Sequence, residues 1–150
     1  MSQHSVVISG TGLWTPSESI TNEELVESFN EYVQRFNTRN AEAIGRGEIE
    51  ALGVSNAAFI EKASGIKQRY VVNKEGVLDP DRMCPIIPER SDEEMSIQAE
   101  VAIKAVNQAL ENAGKTAADV DAILVACSNM QRAYPAVAVE VQHYLGMERG

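Results

Sequence analysis

Cysteine is scarce in this sequence. Cys84 and Cys127 are the only two in 150 residues. Two make neither a disulfide framework nor a metal site, so no metal is expected and a reducing cytoplasm is the natural compartment. Histidine is equally sparse, with His4 and His143. No apolar run approaches the ~20 residues that span a bilayer. Met1-Ser-Gln-His4 lacks the charged and apolar regions of a secretory signal. Positive charge is in deficit: 13 Lys and Arg face 22 Asp and Glu, for a net −9. That excludes a protein mainly occupied with gripping phosphate backbones, so no nucleic-acid partner is expected. Lys62, Lys67 and Arg69 are a local basic exception. Repeats and low-complexity tracts are missing too. A length of 150 residues at 44% hydrophobic is enough for one core of ordinary size, and one domain is the default.

What is present reads as alternating helices and β-branched runs. Val6–Ser9 predicts a short strand leading into Gly10-Thr-Gly12. A dinucleotide fingerprint would need a third glycine and a helix start, but Thr15 and Pro16 stand there, so a tight turn with close backbone packing is the better reading. Thr21-Asn-Glu-Glu24 has capping-box spacing, and Leu25, Phe29, Val33 and Phe36 follow at helical intervals, which starts a helix near Asn22. Asn37–Leu52 is polar and glycine-containing, open to reading as a continuing helix or as an excursion off the core. Ser55–Ala63 predicts a short helix capped by Ser55 and closed by Gly65, and Gln68–Val72 a strand. Asn73–Glu94 holds Pro80, Pro85, Pro88 and an acidic run, and reads as a solvated loop. Ser91 and Glu94 offer a capping box for the helix Ser96–Ala113. Its face of Ile97, Val101, Ala105, Ala109 and Ala113 is so rich in alanine that its neighbours must come close. Gly114 ends it, and Thr116–Asp119 reads as a capped turn.

The stretch Asp119–Gly146 then gives a buried strand Ala122–Ala126, a polar loop Cys127–Ala133, and a helix opening on Pro135 and stopping at Gly146. The strand–helix–strand crossover is expected to be right-handed. In open α/β sheets ligands gather where strands end and helices begin, which points to the loop around Cys127–Tyr134.

Taken in order, Gly10-Thr-Gly12 with Pro16, Thr21-Asn22, Ser64-Gly65-Ile66 with Arg69, Ala113-Gly114, Asp121–Ala126, Tyr134-Pro135 and Leu145-Gly146 resemble the start of a β-ketoacyl-acyl-carrier-protein synthase III. The resemblance implies an α/β protein of the thiolase-like layered α-β-α-β-α fold, with these residues as its N-terminal half only. Residues 37–54 and 73–94 read as loop or cap excursions on it. It implies a homodimeric, cytoplasmic acyltransferase that condenses an acyl group from acyl-CoA with malonyl-acyl-carrier protein. The CoA thioester is a substrate, and no cofactor is implied. The catalytic cysteine, histidine and asparagine are expected beyond Gly150, so this portion holds no catalytic residue and is expected to be inactive alone. Two alternatives stay open: another thiolase-superfamily acyltransferase of secondary metabolism, and a non-catalytic dimerisation subunit.

Individual residues are read against that background. Cys127 lies at a strand end but has no base nearby in sequence, and the resemblance puts a non-catalytic residue there. Cys84 reads as a surface or packing thiol, His143 as structural or exposed, and His4 as without a role. Four residues are candidates for substrate binding: Phe59, Lys62, Lys67 and Tyr134. The resemblance places Tyr134 in the partner subunit's acyl pocket, against the alternative of a core or interface aromatic. Phe59 and Ala63 fall where short-chain members carry a tryptophan and an arginine on the CoA adenine. Phenylalanine still stacks there, alanine supplies no guanidinium, and Lys62 or Lys67 offers a point charge instead. This departure suggests a changed donor, such as a longer acyl-CoA or a carrier-bound group.

Overall fold

A computed structural model describes residues 5–147. His4 lies outside them. The elements run β1 (Glu18–Thr21), α1 (Asn22–Arg39), α2 (Ala41–Gly45), α3 (Ala57–Ser64), β2 (Gln68–Val71), α4 (Lys74–Leu78), α5 (Ile97–Ala113), a 3-10 turn (Ala117–Asp119) and α6 (Val137–Tyr144). Where one domain was the default, the described residues divide into two compact units: residues 15–88, and residues 89–147 with residues 5–14.

In the first unit, β1 and β2 pair antiparallel, with Ile20 opposite Arg69. The capping box at α1 forms as its spacing predicts. The Glu24 backbone N–H donates to Thr21 Oγ1 at 3.2 Å, and the Thr21 N–H donates to Glu24 Oε2 at 3.0 Å. Ile20 and Val33 are buried at the centre. Residues 37–45 continue in helices α1 and α2. The chain after them is bound back to α1 by two asparagines two turns apart. Asn30 exchanges a pair of hydrogen bonds with the backbone of Ser55 (3.0 and 2.8 Å), and Asn37 does the same with Leu52 (both 2.9 Å). Each side-chain amide imitates a strand neighbour, satisfying one N–H and one C=O of an otherwise irregular segment. The clasp explains a correction. Ser55 is held through its backbone by Asn30, and α3 is capped by Asn56, whose side chain accepts from the Phe59 N–H at 2.8 Å.

In the second unit, α5 is the central element. The segment Gly10–Leu13 crosses its alanine face so closely that side chains have no room. A Cβ on Gly12 would lie 2.7 Å from the Ala109 nitrogen, and one on Gly10 would lie 2.9 Å from the Ala113 Cβ. The close packing inferred at Gly10-Thr-Gly12 is therefore present, and the alanines are what admit it. Gln108 and Asn112 stitch the segment down: the Leu13 N–H donates to Gln108 Oε1 at 2.6 Å, and Asn112 Nδ2 donates to the Thr11 carbonyl at 2.9 Å. Ala99, Val137 and Val141 form the buried core between α5 and α6, with Met95, Ile103, Ile123 and Leu145 packed around it.

Several expectations are corrected here. Val6–Ser9 and Ala122–Ala126 do not form strands, and the only ladder among the described residues is the antiparallel β1–β2 pair. No parallel crossover exists between them to have a hand. A strand needs a partner for its backbone groups, and these runs have none: Ile8 and Leu124 are 87% and 99% exposed. The layered parallel sheet is thus not formed by these residues, although the mixture of helix and strand fits an α/β class. Ser91 and Glu94 do not cap α5. They close a turn of their own (Ser91 N–H to Glu94 Oε2, 2.8 Å), and Ser96 caps the helix by accepting from the Ala99 N–H at 3.1 Å. The last helix opens at Val137 rather than Pro135, because the chain stays extended through Ala136 after a cis Tyr134–Pro135 bond.

Replacing Gly12 by alanine should destabilise the protein by roughly 1–3 kcal/mol through overpacking against α5. Gly53→Ala, whose new Cβ meets nothing within 4 Å, should be close to neutral. Urea-unfolding midpoints of the two variants check this.

Candidate functional site

Three of the four candidate binding residues gather at one short helix. Phe59 and Lys62 are three positions apart on α3 and share a face of it. Gly65, at φ +72°, closes α3 in the left-handed region, and Lys67 follows two residues later. That turn is held from below by Asn22. Its side chain donates to the Ile66 carbonyl at 2.7 Å, and its backbone N–H donates to the Lys67 carbonyl at 3.2 Å. Phe59 is 63% exposed, and both lysines are exposed. The Lys67 ammonium lies 3.4 Å from Glu61, an exposed pair that restrains it only weakly. An exposed aromatic ring able to stack on a flat ring and two exposed lysines able to attract an anion thus lie within nine residues of chain at α3. Ala63 is also exposed here and adds no charge.

Tyr134 belongs to the other unit, at the end of the loop that follows residues 122–126. It is 90% exposed. The loop beneath it is bound to the start of α5. Gln131 Oε1 accepts from the Ile97 N–H at 2.8 Å, the Gln131 N–H donates to Gln98 Oε1 at 3.1 Å, and Gln98 Nε2 donates to the Asn129 carbonyl at 2.9 Å. Arg132 spreads its guanidinium over the carbonyls of Asp92 (2.9 Å), Glu94 (3.1 Å) and Ser91 (3.2 Å). From α6, the buried Glu140 accepts the Ser96 N–H at 2.8 Å through Oε2, while its Oε1 has no partner. A carboxylate at that point faces the positive end of the α5 dipole. Arg132, Pro135, Val139, Glu140 and His143 line a cleft of ≈ 300 Å³.

Neither cysteine has nucleophilic surroundings. Cys127 is exposed and its thiol contacts the Asn129 carbonyl, and among the described residues no histidine or lysine is hydrogen-bonded to it. Cys84 is exposed in the loop after α4. His143 is exposed and packs edge-on against Tyr144, with ring centroids 5.0 Å apart. Among the described residues no group of three or more His, Cys, Asp or Glu is placed to hold a metal.

A charged cluster is centred on Glu100 of α5. Lys104 and Arg90 donate to the Glu100 carboxylate at 2.6 and 2.7 Å, and these bonds, Lys104 first, hold its pKa below the ordinary 4.5. The Lys104 ammonium also stands 4.5 Å from the centre of the Trp14 ring. Glu94 is lowered as well, chiefly by the Ser91 backbone N–H and less by Arg90 and Arg132. Arg132, Gln98 and Glu140 were not singled out from the sequence. Only Glu140 leaves a trace there, as a lone acid inside the apolar run Ala136–Val141.

No protein-family model matches the chain. Curated proteins do. It is 60% identical over 123 residues, 82% of its length, to the beta-ketodecanoyl-[acyl-carrier-protein] synthase of Pseudomonas aeruginosa, of which the match covers 35%. It is 33% identical over 144 residues, 96% of its length, to the beta-ketoacyl-[acyl-carrier-protein] synthase III of Granulibacter bethesdensis, and 29% identical over 144 residues to that of Bartonella tribocorum, covering 31% of each. The chain thus spans about a third of the length of the curated relatives it matches.

Two outcomes follow from this geometry. Because the folded-state pKa of Glu100 is depressed, its contribution to stability is complete above about pH 4.5 and is lost as pH falls through the folded value. Glu100→Gln should therefore be less stable than the parent at pH 7, with the gap narrowing as pH falls below the ordinary 4.5 in a pH series of thermal melts. Cys127→Ala should leave the urea-unfolding midpoint close to the parent's, within about 0.5 kcal/mol, as expected for an exposed side chain.

Proposed function

Because this chain belongs to the β-ketoacyl-acyl-carrier-protein synthase III family, we propose that it is the N-terminal portion of a cytoplasmic, homodimeric condensing enzyme. The enzyme joins an acyl group to malonyl-acyl-carrier protein with loss of carbon dioxide, at the start of fatty-acid or related chain synthesis. The observation that carries this reading is the 60% identity over 82% of the chain to a synthase of that reaction type.

The chemistry has two halves. A cysteine thiolate, expected beyond Gly150, attacks the donor thioester carbonyl and expels CoA thiolate, leaving an acyl-enzyme. Malonyl-acyl-carrier protein then loses carbon dioxide. The resulting carbanion attacks the acyl carbonyl and the cysteine leaves, while histidine and asparagine hydrogen bonds stabilise the negative charge on the thioester oxygen. In this scheme Phe59 stacks on the CoA adenine, and Lys62 and Lys67 attract its phosphates. Tyr134 reaches the acyl pocket of the partner subunit, consistent with a side chain that its own unit leaves uncovered.

The donor proposed is a medium-chain acyl-CoA. Malonyl supplies two carbons after decarboxylation, so a β-ketodecanoyl product, the one named for the Pseudomonas aeruginosa relative, requires an octanoyl donor. Alanine at position 63 in place of an arginine is a second reason to expect a donor other than acetyl-CoA.

Intact-mass analysis of the full-length enzyme with acyl-CoAs from acetyl to dodecanoyl tests the reading. The octanoyl adduct should dominate, and Phe59→Ala should raise the KM for acyl-CoA by about threefold to tenfold through lost stacking. Equal acetyl and octanoyl acylation would overturn the donor assignment, and no adduct with any donor would favour a non-catalytic subunit.

A further inference from the structure

Tyr134 is 90% exposed. Its direction is therefore set by the loop backbone that carries it and hardly by packing of its own ring. That backbone is short of regular structure from residue 120 to 136, so its restraint comes from side-chain hydrogen bonds. Arg132, two residues before Tyr134, makes three of these bonds, as many as Gln98 and Gln131 make together. Although acidic residues crowd the segment 92–94, the guanidinium forms no ion pair within 4.0 Å among the described residues; its bonds go to the three backbone carbonyls of Ser91, Asp92 and Glu94. A planar fork on three carbonyls fixes position and orientation together, which one bond to a mobile carboxylate does not. The carbonyls are themselves fixed: their segment runs directly into Ser96, held from outside by Glu140 and capping α5 from within.

We propose that Arg132 is a positioning residue for acyl-chain selectivity, holding the loop so that Tyr134 presents its ring at a set point of the acyl pocket. This rests on the assignment of Tyr134 to that pocket. The role assigned to Arg132 is exerted through the loop.

The experiment is a double-mutant cycle on the full-length enzyme. For the parent, Arg132→Ala, Arg132→Lys, Tyr134→Ala and the Arg132→Ala/Tyr134→Ala pair, the ratio of acylation rates with octanoyl-CoA and acetyl-CoA is measured by intact mass. Arg132→Ala should move the ratio by about threefold to tenfold, the scale of one or two lost hydrogen bonds, in the same direction as Tyr134→Ala. The pair should move it no further than Tyr134→Ala alone. Arg132→Lys, which keeps the charge but cannot span three carbonyls, should fall between parent and alanine, and carries the test if Arg132→Ala does not fold. Hydrogen exchange at residues 127–134 should rise in the Arg132 variants. A shift with Tyr134→Ala but none with either Arg132 variant would overturn the inference alone, as would full additivity in the pair. No shift with Tyr134→Ala would remove the pocket assignment and the inference with it.

Discussion

Close approach of two backbones is the constraint on which the second unit depends. Gly10–Leu13 lies directly on the Ala105–Ala109–Ala113 face of α5, and either a side chain at Gly10 or Gly12 or a larger residue on that face would push the layers apart. Dispersion contacts fall off steeply with distance, so a gap of under one ångström already forfeits much of their attraction. Gln108 and Asn112, one turn apart on the helix, add hydrogen bonds that hold the segment at that spacing. Helix α5 is thereby fixed along its C-terminal half.

Its N-terminal half is fixed by polar groups instead. Ser96 is fully buried and caps the helix from within, while Glu140 takes the Ser96 N–H from outside. Gln98, Gln131 and Arg132 then extend the same network into the loop that ends at Tyr134. The unit has an apolar end that tolerates no added volume and a polar end that specifies where a loop points. The unpartnered Glu140 Oε1 is the one buried acceptor in this network left unmatched, and an unmatched buried carboxylate oxygen is costly.

Local features were legible in the sequence. The Thr21–Glu24 capping box, the left-handed glycines that close α3 and α5, and the demand for close packing at the alanine face all depend on residues within a few positions, or on volume alone. What failed was settled at a distance. Ser91–Glu94 has a capping-box spacing as good as that at Thr21, yet it closes an isolated turn, because Glu140, 44 residues on, holds Ser96 as the start of the helix. Ser55 lost the cap of α3 to Asn56 because Asn30 occupies its backbone. The apolar runs at residues 6–8 and 122–126 have strand composition but no ladder partner here. At the candidate site, Phe59, Lys62, Lys67 and Tyr134 are singled out by resemblance alone. The residues that support Tyr134 were not, since a glutamine or arginine in a polar loop carries no spacing signal.

The Trp14–Lys104–Glu100–Arg90 chain has an optical consequence. Trp14 is the only tryptophan in these 150 residues, and a cation stands over its ring face. That cation is held by Glu100, which also anchors Arg90 just ahead of the acidic turn. A charge held over an indole acts on its π-system, so an event that moves the Lys104 ammonium changes the electrostatic surroundings of Trp14. The segment crossing α5 thus ends in a fluorophore placed beside a salt bridge of the helix it covers.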